Sequence, residues 1–499
     1  MKQRFIYFFV LCFFIQVSVA GTNYYVSTEG SDSNNGTSVS TPFGSITKGI
    51  SLANAGDIIY VRGGEYKYDA KISLSRDGTL EAPIRMEAFE SEIPIIDFSD
   101  MAVSSSNRGF SLSGDYWVIK GLKIQYAGDN GMFVSGNNNT VENCVFFANN
   151  DTGLQLGNGA SNNQIINCDS YGNADPTDYG DADGFACKMD VGDNNYFYGC
   201  RAWLNVDDGW DGYLRGADDV NTTIENCWTW MNGYFLDGTD AGSKANGNGF
   251  KVGGSDDKTL MHNFTLINCV AFDNKSKGFD QNNNRGDINF FNCTGFRNEG
   301  KDYSIPLSLN SGKQAEVVNC ISIDGDISLG SFVAQQTNSW NGFVFSNSDF
   351  VSLDTTGVSG ARKADGSLPD LGVFKLVEGS DFINAGTDLG YAYYGNAPDL
   401  GAFESNFGAT WIDDPNMTEF VIMGNPVNQN LRFKMSSDKM QINQVKIISI
   451  SGQVVLSKKI EFINHNMFEL DVRSLSPGLY VLAIESNTGM WCQKFTKAN

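Results

Sequence analysis

Five side chains stand at spacings that let them act together. Asp183 and Asp208 each directly precede the glycine of a Gly–large apolar–variable triplet, Gly184-Phe185-Ala186 and Gly209-Trp210-Asp211. The same triplet recurs as Gly153-Leu154-Gln155, Gly249-Phe250-Lys251 and Gly278-Phe279-Asp280. If each triplet is a rung of a stack, equivalent residues lie one strand spacing apart, about 4.8 Å. Asp183 and Asp208 then occupy neighbouring rungs, Asp207 adjoins them, and Asp211 takes the outward third position. Four carboxylates thus converge within about 5–8 Å. For a single Asp-Asp-Gly, a solvated turn is the simpler reading; four in register are costly unless they share a cation. An all-oxygen, flexible donor set selects a hard ion, Ca2+ over Mg2+. Lys251 takes the outward third position one rung further on, among Gly249, Val252, Gly253 and Gly254, with little else charged expected beside it. A cation nearby lowers the pKa of such an amine and makes it available as a base. These parts suit one reaction class. The cation binds a sugar carboxylate and acidifies the hydrogen on C5, Lys251 abstracts it, and the oxygen at C4 leaves by β-elimination.

The elements that must hold these groups are legible in the cysteines. Asn143-Cys144, Asn167-Cys168, Gly199-Cys200, Asn226-Cys227, Asn268-Cys269, Asn292-Cys293 and Asn319-Cys320 follow one another at gaps of 24, 32, 27, 42, 24 and 27 residues. Self-similarity at this period marks a solenoid. The cysteines then form an inward row of small soft hydrophobes, with free thiols expected rather than disulfides, since a uniform row lacks the paired geometry. The asparagines are expected as a hydrogen-bonded ladder at a bend. Large triplet residues fill the core, and third positions point outward along one face. The fold expected is all-β: a right-handed parallel β-helix, with the extra residues of the longer gaps looped out on one side. Tyr24 to Gly64 fits an N-terminal cap, with a short helix after Phe43-Gly44-Ser45-Ile46, because an open stack end must be covered.

Asp183-Gly184-Phe185, Asn205-Val206-Asp207-Asp208-Gly209-Trp210-Asp211-Gly212, Gly247-Asn248-Gly249-Phe250-Lys251-Val252-Gly253-Gly254 and Gly278-Phe279-Asp280-Gln281-Asn282-Asn283-Asn284 resemble the motifs of polysaccharide lyase family 9, the family of pectate and rhamnogalacturonan lyases. The resemblance implies a parallel β-helix, a catalytic Ca2+ held by Asp183, Asp207, Asp208 and Asp211, and Lys251 as Brønsted base. It is tight over 183 to 284 and looser over about 21 to 405. A longer Asp211-to-Lys251 spacing, with Asp237 to Lys244 in the extra loop, bears on substrate identity. The implied substrate is a uronate polysaccharide, pectate first and rhamnogalacturonan I second, cleaved by the same mechanism. A hydrolase of this fold would leave Lys251 without a task, and a non-catalytic carbohydrate-binding adhesin is the rival from another class. Lys275, Lys277, Arg285 and Lys301 are candidates for pairing with uronate carboxylates. Asp280 and Asn282 are candidates for sugar hydroxyls, and Tyr213 or Tyr303 for stacking. Trp210 and His262 read as structural, and Lys188 with Asp190 is a second, weaker acid–base pair.

The whole chain sets the frame. Its 499 residues carry a formal charge of -23 with only two histidines, which argues against nucleic acid and against a His-built metal cage or a Ser-His-Asp triad. Residues 1–20 read as a signal peptide, with Lys2 and Arg4 before an apolar run and Ser18-Val19-Ala20 as cleavage site. Nothing later has the apolar length of a membrane span. The expected plan is a catalytic domain over 21–405, a linker over 406–418 and a small β-sandwich over 419–499, in a monomer. Asn425-Pro426-Val427, Ile450-Ser451-Gly452-Gln453-Val454-Val455 and Leu475-Ser476-Pro477-Gly478-Leu479-Tyr480-Val481-Leu482 resemble the sorting domain of the type IX secretion system, implying a secreted or cell-surface protein.

Overall fold

The computed structural model describes residues 21–176, 179–391, 393–407, 420–423, 427, 430–435, 442–449, 454–458, 467–476, 478–486 and 489–497. The expected signal peptide, most of the expected linker and parts of the tail motifs lie outside them. Three parallel sheets, of 12, 10 and 10 strands, wind into a right-handed β-helix. A turn of chain visits each sheet once, and most strands are only three or four residues long. Alternation decides which face turns in: Trp117–Lys120 and Ile288–Phe291 each bury every second residue.

The interior is built from like residues stacked on like. On the sheet that carries the triplets, Phe185, Trp210, Phe250, Phe279 and Tyr303 stack ring on ring at centroid separations of 4.8, 4.9, 5.3 and 4.8 Å. These match the rung spacing, so the aromatic column fixes the register of the outward residues beside it. Eight cysteines are buried free thiols. The asparagines before them form one rung of the expected ladder, Asn319 Nδ2 donating to Asn292 Oδ1 at 3.2 Å, and otherwise serve another purpose. Asn143, Asn167, Asn226, Asn268, Asn292 and Asn319 sit at left-handed φ of 52–59°, where each coil bends, and Gly199 takes that place at +63°.

The hydrogen-bonded ladder belongs to a different row. Asn149, Asn173, Asn205, Asn232, Asn274 and Asn298 are buried, and each side-chain NH2 up to Asn274 donates to the next carbonyl oxygen at 2.8–3.0 Å. This row lines the turn that leads into the triplet sheet. A second, shorter row, Asn139, Asn163 and Asn195, lines the turn that leaves it.

The ends are closed by local structure. The helix Ile46–Leu52, capped by the Ser45 hydroxyl, buries Ile46 over the first strands. Coiling stops at Ala334–Gln336. Residues 340–403 then run back along the third sheet, where Phe350, Phe374, Phe382 and Leu400 cover Trp203, Trp228, Trp230 and Phe272. Arg362 fastens this return by donating to Cys168 O and Gly199 O and pairing with Asp169, which Arg201 also grips. In the tail, antiparallel sheets of three and four strands share one core of Leu431, Phe433, Ile447, Leu470, Leu482 and Phe495.

Candidate active site

The triplet sheet pairs Phe185 with Trp210, Asp211 with Lys251, and Lys251 with Asp280. Its outward third positions therefore form one row: Ser111, Phe133, Gln155, Ala186, Asp211, Lys251, Asp280 and Ser304. Two long connections enter this sheet from the same side, residues 172–184 and 231–249. Ala182 of the first and Ala241 and Ala245 of the second pack together with Val206, which precedes Asp207. Asn246, in the longer one, donates from its backbone and side chain to Asp207 Oδ1 at 2.6 and 2.9 Å. Such cover explains why outward residues such as Asp211 and Lys251 are nonetheless buried.

The asparagine ladder sets the acidic side chains in place. Asn205 is anchored to both neighbouring rungs, so the segment that follows it emerges with Asp207 and Asp208 against Asp183. Asp183, Asp207 and Asp208 each bring a carboxylate oxygen within 4.8 Å of one another. Asp211 stands beside this trio rather than in it. Its Oδ1 accepts from Tyr213 N at 3.0 Å and lies 3.3 Å from Lys251 Nζ.

Lys251 is more crowded by charge than its glycine-rich flanks suggest. Its ammonium lies 3.0 Å from Asp208 Oδ2 as well as 3.3 Å from Asp211, because the register stacks its side chain directly on that of Asp211. The Tyr213 ring flanks it at 5.7 Å. Lys188 was legible only as a weak partner of Asp190, and it belongs here instead. Fully buried, it donates to Asp183 Oδ2 at 2.7 Å and stands 3.7 Å from Asp211 Oδ2. The signal for it was the spacing: Lys188 follows Asp183 by five residues across a three-residue strand, which turns its long stem back over the same face. Asp190 faces away and accepts from Asn158 N.

Burial pushes the Asp207 carboxyl well above the usual range, and Asp208 and Asp183 add to it. Asp183 is likewise pushed well up, burial outweighing the nearby Lys188. Burial by itself would raise Asp211 too, but Lys251 and Lys188 outweigh it and hold it below. For Lys251, burial favours the neutral amine, yet Asp208, Asp211, Asp207 and Asp183 keep the ammonium well above the ordinary lysine range. Carboxylates outnumber ammoniums here, and burial disfavours the charge of Asp183, Asp207 and Asp208, so a cation among them would relieve that cost. Asp208 Oδ2 is buried and accepts no well-formed hydrogen bond. These oxygen-only donors fit a hard divalent ion.

The remaining candidates separate. His262 is buried beneath the site; its Nδ1 donates to Gly212 O at 2.9 Å, its Nε2 accepts from Thr222, and burial lowers its pKa to about 4. It is a neutral strut. Trp210 is core. Tyr303 is fully buried and has no face left for a sugar, whereas Tyr213 is partly exposed and donates to Asp256. Lys275 is tied to Asp240 and Gly242 of the long connection, and Lys277 to Asp280 at 3.0 Å. Arg285 donates to backbone carbonyls of Lys258 and Ser308, and Lys301 pairs with Asp326. Asn282 donates to Gly253 O.

Residues 24–322 match the family model described as "Pel9A-like, right handed beta helix region", and residues 422–498 match "Secretion system C-terminal sorting domain". The chain is 41% identical over 396 residues to "Pectate lyase L" of Dickeya chrysanthemi, covering 77% of this chain and 90% of that protein. The solved structure "Crystal structure of pectate lyase Pel9A" is 39% identical with a TM-score of 0.73, covering 78% of this chain and 97% of that one. A solved "Rhamnogalacturonan lyase" is 28% identical with a TM-score of 0.62, covering 72% and 97%.

Proposed function

The chain belongs to the Pel9A-like right-handed β-helix family, and from that premise we propose that it is a calcium-dependent pectate lyase, exported and working outside the cell. It is a polysaccharide lyase, and its sorting domain directs it to the secreted or cell-surface space. The observation that carries the finer reading is the register: Lys251 stacks on Asp211 one rung beyond a buried trio of carboxylates.

Asp183, Asp207, Asp208 and Asp211 would hold the ion. When bound, Ca2+ supplies the positive charge that competes with the ammoniums for these carboxylates and polarises the carboxylate of a uronate. The chain's own residues do the rest. Once the carboxylates that hold it as an ammonium are engaged elsewhere, Lys251 Nζ would lose its proton and, as the neutral amine, take the C5 proton as a general base. The C5–H electron pair becomes the C4=C5 double bond, and the glycosidic oxygen leaves with the C4–O pair and takes up a proton from solvent to become the hydroxyl of the released sugar. Lys188 stays charged and keeps Asp183 and Asp211 apart. Tyr213 closes one side of the Lys251 amine.

Polygalacturonate incubated with the protein and calcium should gain the ultraviolet absorbance of a C4=C5 unsaturated product, and a chelator should abolish it. Silence on every uronate polymer would end the lyase reading. Activity surviving thorough chelation would end the calcium role. The likeness to a rhamnogalacturonan lyase sustains a second reading on the same chemistry, so rhamnogalacturonan I is the comparison substrate; faster cleavage of it would reverse the order.

A further inference from the structure

One cation on the outer face of the triplet sheet has donors to spare. Arg108 stands two residues before Phe110, the place that Asp183 holds before Phe185 and Asp208 before Trp210. It therefore lies three rungs before Asp183 in the same column, about 14 Å away at strand spacing. Its guanidinium carbon lies 3.6 Å from the centroid of the Phe133 ring, and Phe133 is an outward residue in the row that continues to Asp211 and Lys251. Arg108 Nε is buried without a hydrogen bond, and the nearest carboxylate oxygen, Asp129 Oδ2, is 3.5 Å off and also lacks one. The guanidinium makes no hydrogen bond to any described residue, while its side chain keeps 31% of its surface exposed. Lys188, Lys251, Lys277 and Lys301, the lysines placed on this face above, are each held by a carboxylate at 3.0 Å or less.

A guanidinium seated over an aromatic ring loses little freedom on binding, and its fork matches a carboxylate in two parallel hydrogen bonds. Asp129 balances its charge from the Nε side, so the site is not an unscreened cation. We propose that Arg108, held on Phe133, is a distal subsite that binds the carboxylate of a uronate several residues along the same polymer from the one being cleaved. This rests on the uronate-lyase reading above and adds to it a preference for long substrates.

The test compares hexagalacturonate with trigalacturonate. Arg108→Gln keeps a polar stem without the fork, and the hexamer-to-trimer ratio of kcat/KM should fall about 10- to 100-fold, mostly through KM for the hexamer, as for loss of a hydrogen bond to a charged group. A hexamer methyl-esterified only at the uronate that reaches Arg108, with the carboxylate at the cleaved residue left free, should show no such fall. Arg297→Gln makes the same charge change on another sheet and should leave the ratio as it is. Calorimetric binding of hexagalacturonate, with and without Arg108→Gln, reads the subsite even where no cleavage is seen; absent cleavage by the unaltered protein would count against the lyase reading alone. An unchanged ratio and unchanged affinity, or an equal loss on the trimer or the methyl ester, would overturn the proposal. Should Arg108→Gln not fold, Arg108→Lys keeps stem and charge, and an unaltered hexamer affinity in it would overturn the proposal as well.

Discussion

At the scale of single residues, the site is an argument about compensated charge. Lys251 and Lys188 look alike, two buried ammoniums among the same carboxylates, yet their places differ. Lys251 lies at the outward end, one-tenth exposed and beside Tyr213; Lys188 is enclosed. We expect Lys251→Ala to fold and bind calcium while kcat falls by about 10²–10⁴-fold, the contribution of a positioned general base; turnover within tenfold of the parent would remove it from that role. Lys188→Met should behave otherwise. It leaves Asp183 without its partner, so the metal-free protein should lose about 3–5 kcal/mol of stability. Added calcium restores the missing positive charge and should recover most of the loss. Denaturant melts in chelator and in calcium separate these outcomes, and an equal loss in both would contradict the arrangement.

At the scale of elements, the turns do more positioning than the strands. Triplet-sheet strands such as Trp210–Asp211 and Phe250–Lys251 are two residues long, too short to fix a side chain without help. Two asparagine rows supply that help at opposite edges of the sheet, and only one leads into the acidic segment. Asn205→Ala strips partners from Asn173 and Asn232, so it should cost about 1–3 kcal/mol for each buried group left unpaired. It should also lower kcat and calcium affinity, because Asp207 and Asp208 follow directly. Asn163→Ala breaks the row at the other edge and should cost similar stability with kcat unchanged at temperatures where it is folded. Equal catalytic effects from both would mean that the ladder acts only on global stability. The Cys-row asparagines show how a repeat is legible while its role is not. Their spacing gave the period, but a left-handed φ and a side-chain ladder both favour Asn, and the sequence does not say which row does which.

At the scale of the whole molecule, the return segment 340–403 seals the third sheet and leads to a half-buried carboxyl, Glu404. Glu404 Oε1 accepts from Asp399 N, and its Oε2 is buried without a partner. Burial, with Asp399 adding, raises its pKa from 4.5 to about 8. The folded state then binds more protons than the unfolded chain between pH 4.5 and 8, so this group's share of stability is intact below that window and is lost as pH rises through it. Glu404→Gln, always neutral, should melt at the same temperature as the parent near pH 4 and higher than it above pH 8, by about 1 °C for each kcal/mol recovered in a domain of this size. A difference that does not grow with pH would refute the shift.

The β-helix, its repeat and the nearness of Asp183, Asp207, Asp208, Asp211 and Lys251 follow from spacing, because a solenoid converts a fixed sequence interval into a fixed distance. A residue's neighbours above and below are then known before any coordinates are. What only the tertiary structure decided is everything that depends on where long side chains and returning segments go. Lys188 reaches back to Asp183, Lys251 is gripped by two carboxylates, Tyr303 is lost to the core, and Arg108 sits over the Phe133 ring. Lys251 on Asp211 and Tyr303 on Phe279 obey the register, but the course each long side chain takes beyond its rung does not follow from it. Burial and side-chain direction set that course, and the linear pattern encodes neither.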